Sequence, residues 1–265
     1  MRNYIIYGGL VLLAGITMLL WQEVLAARAF TVTLFDVGQG DSIYITTTTG
    51  SRILIDGGPD ATVLEKLGSS IPFWSKRIDL LVLTHTDADH LSGLVDVLER
   101  YEVEHILWTG IEASTSTFKA WEKALETEGA KITIAAAPQI INWGGKAYAR
   151  VIHPIQGFET TVVNDTSVVV QLVHPDTSLL LVGDATTRVE GNIGVKSDIL
   201  KIGHHGSKTS TSASFIEAVQ PQLAIIQVGK DNSYGHPHSS VLETLSEYGI
   251  DIKRTDLDGD IVLRF

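Results

Sequence analysis

The chain opens on an unbroken apolar stretch and then changes character. Residues 4–22 carry no charge and lie between Arg2 and Glu23. They show no polar face of the kind a helix needs when it packs on a water-exposed body. From Phe30 onward, short β-branched runs recur at 30–35, 42–47, 52–55 and 79–84, separated by Gly-rich or Asp-rich turns, and these predict strands. Helical spacing appears at 61–67, 91–101, 118–127, 214–219 and 240–248, interleaved with further strands such as 178–182 and 198–202. Hairpins come first and strand–helix alternation later, with no Pro-rich or Ser-rich linker between, so residues 30–265 read as one layered α/β domain.

The apolar start has the length of a bilayer crossing, which takes roughly 20 residues. Arg2 would hold the N-terminus inside and send the body out of the cytoplasm. Small residues at Ala26, Ala27 and Ala29 offer a signal-cleavage alternative, but the apolar run exceeds the ~7 to 15 residues usual for one. The reading is therefore residues 1–29 as a single-pass membrane anchor, with secretion following if the segment is cleaved. The formal net charge is −11, and the body without Arg2, Arg28 and Glu23 is more acidic still. Bulk electrostatics therefore repel nucleic acids and acidic lipids. Two divalent ions would cancel four negative charges locally, so the overall sign does not exclude an anionic substrate at the site itself. Cysteine is absent, which excludes disulfides, thiolate ligands and a cysteine nucleophile.

With thiolates gone, any metal falls to His, Asp and Asn, and one hexapeptide concentrates them. His85-Thr86-Asp87-Ala88-Asp89-His90 follows an apolar run and precedes a helical pattern, placing four potential ligands at one strand-to-helix turn. Singly, Asp89 reads as a cap for a helix starting near Leu91 and His90 as space filling. Together they read as a site for divalent metals, which take oxygen and imidazole donors. Asp56 ends the run Ile53-Leu54-Ile55 before Gly57-Gly58 and is either a turn former or a carboxylate that orients a ligand. Asp184 ends another apolar strand, and in α/β folds such strand ends gather catalytic groups. His204 and His205 follow a third apolar strand, beside glycines, and read as exposed and positioned, with at least one on metal. His236, between Gly235 and Pro237, suits proton transfer or phosphate contact. Asn164 or Asp165 offers an oxygen ligand, or simply forms a turn. His105, His153, His174 and His238 read as structural or surface residues.

These motifs in order, Asp36-Val37-Gly38-Gln39-Gly40-Asp41-Ser42, His85-x-Asp87-x-Asp89-His90, Gly183-Asp184, His204-His205-Gly206-Ser207 and Tyr234-Gly235-His236-Pro237, resemble the metallo-β-lactamase superfamily. Within it they resemble the C-terminal domain of the ComEC-like competence proteins of DNA uptake. The resemblance implies a four-layer αββα sandwich over residues 30–265 and a two-metal site, with zinc or manganese as the candidate ions. It implies His85, Asp87 and Asn164 or Asp165 on one ion, Asp89, His90 and His204 on the other, and Asp184 shared. Asp89, Asp184 and His236 would then be catalytic, with Asp56, Asp36 and Asp41 behind the ligands. His205, Ser207, Lys208 and Tyr234 would touch substrate. Asp87 stands where the wider superfamily has imidazole, which makes the site harder. The multi-helix channel of ComEC is replaced by one apolar segment, so only the hydrolase part carries over.

The function expected is a membrane-anchored metal-dependent phosphodiesterase or nuclease acting on DNA outside the cytoplasm, in contact with DNA-uptake machinery. Lys201, Lys208, Lys230 and Arg254 are the candidates for a basic patch that would offset the acidic body. A hydrolase of another ester, phosphoester or lactam is the alternative enzyme, since a fold hosts many chemistries. A non-catalytic uptake module is the alternative outside enzymology.

Overall fold

The computed structural model describes residues 2–25 and 29–265. Helix α1 (Arg2–Leu25) precedes the body. Its side chains are described over residues 7–18, and these are exposed. Among the described residues no helix is long and apolar enough to cross a membrane, so the expected spanning or signal helix remains a reading of the sequence. Ala26 and Ala27 of the cleavage alternative lie outside the described residues.

The body contains fourteen strands and seven α-helices among the described residues. In chain order these are β1 (Thr31–Leu34), β2 (Ile43–Thr46), β3 (Arg52–Ile55), α2 (Thr62–Ser70), β4 (Arg77–Val82), α3 (Ala88–Arg100), β5 (Glu102–Trp108), α4 (Ser116–Glu128) and β6 (Lys131–Ile134). Then come β7 (Gln139–Asn142), β8 (Tyr148–His153), β9 (Val169–His174), β10 (Thr177–Leu181), α5 (Thr187–Glu190), β11 (Ile199–Lys201), α6 (Ala213–Val219), β12 (Leu223–Ile226), α7 (Ser239–Glu247), β13 (Asp251–Arg254), α8 (Thr255–Asp258) and β14 (Ile261–Arg264). They form two seven-stranded sheets, β14-β1-β2-β3-β4-β5-β6 and β13-β12-β11-β10-β9-β8-β7.

Three apolar layers hold this arrangement, as the αββα expectation requires. Inward side chains such as Val32, Ile45, Ile55, Val170 and Leu181 meet between the sheets. Leu67, Leu94, Val97, Phe118 and Trp121 seal α2, α3 and α4 onto the outer face of the first sheet. Val189, Phe215, Ile216, Val241 and Leu245 seal α5, α6 and α7 onto the second. Central strands covered on both faces need no polar side, which is why β10 and β11 read as near-continuous apolar runs. Each such side chain contributes about 1.5–3 kcal/mol when fully buried.

Two features differ from the sequence reading. Helix α3 begins at Ala88, three residues earlier than expected, because Asp87 is already extended at the cap and its carbonyl accepts from the His90 and Leu91 amides. Asp89 and His90 therefore sit inside the first helical turn and do not precede it. The edge strands β6 and β7 are short and mostly exposed, so alternation leaves little trace of them in the sequence. The C-terminal ends of β3, β4, β10 and β11 open onto one rim, where the Val168 amide of the second half donates to Thr84 O at 2.9 Å.

Candidate metal centre

On the first sheet the rim is organised by Asp56, which is buried and holds a left-handed φ of 58°. Its Oδ1 accepts from the Thr84 amide at 2.8 Å. Its Oδ2 accepts from Thr84 Oγ1 at 2.7 Å and from His90 Nδ1 at 2.7 Å. A carboxylate only accepts, so His90 carries its proton on Nδ1 and its Nε2 is the free ligand atom. The Thr84 hydroxyl proton is spent on Asp56, so the 3.0 Å contact with His85 Nδ1 makes His85 the donor and frees its Nε2 as well. Asp56 thus orients the His90 ring directly and the His85 ring through Thr84. Glycine makes the approach of α3 possible, for a Cβ on Gly93 would lie 2.0 Å from Gly57 O.

On the second sheet, Asp184 follows Gly183 at φ 53°, and its amide donates to Ser167 Oγ at 3.1 Å. His204 and His205 occupy a turn at φ 48° and 52°, a conformation that costs about 1–3 kcal/mol per non-glycine residue and marks functional turns. His205 is buried, not exposed as the flanking glycines suggested, and its Nδ1 donates to Gln227 O at 2.9 Å. Gln227 is held by its own donations to Phe35 O and Ser42 O at 3.0 and 2.9 Å. The other nitrogen of His205 then points at Asp89 Oδ2, 3.2 Å away, and Asp184 Oδ2, 3.5 Å away.

The two halves meet. Asp89, His90, Asp184 and His205 each present one donor atom, all within 4.8 Å of one another. Buried His85 Nε2, His90 Nε2 and Asp184 Oδ1 find no hydrogen-bond partner among the described residues. His90 Nε2 and Asp184 Oδ1 stand 3.3 Å apart without the alignment of a hydrogen bond. Orphaned donor atoms are costly, and divalent cations at these positions would satisfy them, so the donor set fits divalent metal. His85 flanks the group, its ring 4.2 Å from that of His90 and its Nε2 3.5 Å from Asp87 Oδ2.

Electrostatics support the fit. Burial pulls the His205 imidazole down, but Asp184, Asp41 and Asp89 outweigh it and hold the group at about 10. His90 is likewise raised, against its burial, by Asp184 and Asp56. Burial pushes Asp184 up, but His205, His90 and Lys201 together hold it well below the usual carboxylate range; Asp89 is depressed against its burial by His205 and His90. Without metal the site is thus an imidazolium–carboxylate cluster, and ligation must expel protons. Titration calorimetry of manganese into chelator-treated protein at pH 7, in buffers of differing ionisation enthalpy, is expected to show release of the protons of His90 and His205. Because the folded value of His205 is raised, its contribution to the metal-free protein is fully present below pH ~6.5 and is lost as pH rises through about 10. Proton uptake on metal addition would contradict both assignments.

The remaining candidates separate into rim and background. Gln39, Asp87, Asp89, Asp184, His204, His205, Tyr234 and His236 line a cleft of about 250 Å³ over the donors. His204 stands on the wall, its Nε2 3.7 Å from Asp184 Oδ2, and contacts Asn164 Nδ2 at 3.2 Å and Thr209 Oγ1 at 3.2 Å. His205, assigned to substrate from sequence, occupies the inner position that sequence gave to His204. Asp165 turns away, accepting from Thr186 Oγ1 at 2.5 Å. Burial and His204 hold His236 below the usual histidine range, its ring 5.7 Å from that of His204. Tyr234 stacks on His236 with 70% of its surface exposed. Asp36 serves its own turn, accepting from the Gly38 amide at 3.2 Å. Ser207 is buried against Thr209 at 3.0 Å, and Lys208 is exposed. His238 caps α7, and His153 contacts Asp165 O at 2.9 Å, structural roles as read.

Of the four basic-patch candidates, Lys208 and Lys230 are exposed, whereas Lys201 is fully buried and Arg254 is engaged by Asp256 at 2.6 Å. Lys201 and Gln227 are the site-supporting residues that sequence reasoning missed. A lysine interrupting the apolar run Ile199-Leu200-Lys201-Ile202 was the available signal.

Fold and donor cluster define a metal-dependent hydrolase of the metallo-beta-lactamase class. The chain belongs to the metallo-beta-lactamase superfamily, whose profile matches residues 35–230. It is 32% identical over 257 residues to ComE operon protein 3 of Bacillus subtilis, covering 88% of this chain and 33% of that protein. It is 32% identical over 235 residues to competence protein ComA of Neisseria gonorrhoeae, covering 86% of this chain and 31% of that one. The chain thus spans about a third of the length of these relatives. Among solved structures, the metallo-beta-lactamase fold protein YhfI of Bacillus subtilis superposes with a TM-score of 0.60 at 12% identity, covering 89% of this chain and 100% of that chain. A diphosphatase of the PhnP family superposes with a TM-score of 0.53 at 16% identity, covering 90% and 99%. At these identities the structures show the fold.

Proposed function

We propose that this protein hydrolyses phosphodiesters, as a nuclease acting on DNA outside the cytoplasm alongside DNA-uptake machinery. The observation that carries the reading is the convergence of Asp89, His90, Asp184 and His205 from both sheets within 4.8 Å; the competence relatives support DNA as the substrate. In this reading His85, Asp87 and Asn164 hold one divalent ion, Asp89, His90 and His205 the other, and Asp184 serves both. His205 takes the place sequence gave to His204 because its Nε2 is the one aimed into the cluster. Zinc or manganese, when bound, supplies Lewis acidity and makes water nucleophilic near neutral pH.

The chain's own residues do the rest. Asp56 and Gln227 lock the His90 and His205 rings, so the ligands are in place before substrate arrives. His236, kept neutral by burial and by His204, faces the cleft, where its ring N–H can donate a hydrogen bond to a phosphoryl oxygen as negative charge develops there. The exposed Tyr234 ring gives a sugar or base a surface to stack on. The test is turnover of bis(p-nitrophenyl) phosphate and single-stranded DNA, against a β-lactam, after reconstitution with manganese or zinc. Both phosphodiesters should be cleaved. Cleavage of the lactam alone would replace this function with that of a lactam hydrolase.

Membrane attachment through α1 belongs to the same reading. Leu10, Val11, Leu12, Leu13, Ile16 and Met18 are exposed, and the exposed pair Phe73 and Trp74, at 90% and 75%, precedes β4. β1 and β4 start at the same end of the first sheet, opposite the donor rim, so Phe73 and Trp74 lie towards the end at which the chain enters β1. The protein is expected to resist alkaline carbonate extraction from membranes. Release into the supernatant would remove the anchor.

A further inference from the structure

Beneath the donor cluster lies a charge that the hydrolytic scheme does not use. Lys201 ends β11 and is fully buried. An ammonium in such a place is tolerated only when its protons are taken. Lys201 Nζ donates to Gly183 O at 3.0 Å, forms an ion pair with Asp41, and stands 3.9 Å from Asp184 Oδ1. Asp41 is buried in turn, with Oδ1 3.4 Å from His205 Nδ1 and Oδ2 3.9 Å from His90 Nδ1.

These partners belong to different loops. Gly183 immediately precedes Asp184 and holds the left-handed φ of 53° that turns the carboxylate into the cluster. Asp41 ends the Gly-Gln-Gly-Asp loop between β1 and β2, whose Gly40 lies against α3; a Cβ there would come 2.2 Å from Asp89 O. One amine thus ties the Asp184 turn and the Asp41 loop to β11, the strand that leads into His204 and His205. It does so without lining the cleft. Because Lys201 is matched by Asp41, the pair is formally neutral, and it can fix geometry without adding a net repulsion toward a cation above it.

We propose that Lys201 and Asp41 form a clamp that sets metal affinity by holding the Asp184 turn and the His205 ring in ligating pose. Both are positioning residues, and the proposal rests on the reading of the cluster as a metal site. An apolar pair of similar volume would fill the space but would release Gly183 O and the edge of the His205 ring.

The test is the double variant Lys201→Met with Asp41→Asn, which removes both charges and leaves the net charge unchanged. Manganese is titrated calorimetrically into the chelator-treated full-length chain in detergent, and Tm is recorded in manganese and in chelator. Weakening of manganese binding by about 10- to 100-fold is expected, the usual cost of losing a group behind a ligand. The rise in Tm on adding manganese should shrink correspondingly. Unchanged affinity in a folded double variant would overturn the clamp while leaving the metal site standing. A wild-type protein that takes up no manganese or zinc would remove the metal site and the clamp together. Should the double variant fail to fold, Lys201→Arg keeps the charge and displaces the donor from Gly183 O. Weakened binding then supports the clamp and unchanged binding overturns it.

Discussion

Asp184→Ala is expected to lower turnover of bis(p-nitrophenyl) phosphate by about a thousandfold or more while leaving the fold intact. The carboxylate faces His90, His205 and Lys201 at once and is the group shared between the two halves of the site. Its loss removes the negative charge that balances these cations and, in the proposed scheme, a ligand, and electrostatic losses of this kind reach about 10²–10³ even for a single neutral donor. Circular dichroism of the variant should match wild type, because the Asp184 side chain faces the polar cluster of His90, His205 and Lys201. Cleavage persisting at more than a tenth of the wild-type rate would place the chemistry elsewhere.

Gly93→Ala is expected to have the largest effect on stability, about 3 kcal/mol or more, with a fall in Tm on the order of 10 °C. The added methyl would meet Gly57 O at 2.0 Å and Asp60 O at 2.7 Å. Both are backbone atoms, so α3 must retreat from the Asp56 turn. That retreat also separates Asp56 from His90, and metal affinity should fall with stability. A melting curve indistinguishable from wild type would show that the turn yields more easily than its packing implies.

Much of this architecture was readable in the chain because its signals are local. The apolar runs that become β3, β4 and β10 end in Asp56, the His85–His90 hexapeptide and Asp184, and strand ends point to one rim whenever the sheets stack. What could not be read depends on backbone angles and on distant partners. His204 and His205 are adjacent and chemically identical; the left-handed turn and the Gln227 carbonyl, 22 residues away, decide which is buried. Asn164 and Asp165 pose the same problem, since the Thr186 hydroxyl that engages Asp165 at 2.5 Å lies 21 residues away. Lys201 was misread because lysine is almost always exposed, and its partner Asp41 lies 160 positions earlier.

The donors arrive in two sets, one carried by each sheet, with apolar side chains such as Ile55, Val82, Val170 and Leu181 as the filling between. That filling acts as a gauge block. Its thickness sets the gap across which His90 faces Asp184, so trimming or enlarging a methyl group deep in the sandwich would alter that gap without altering any of the donors.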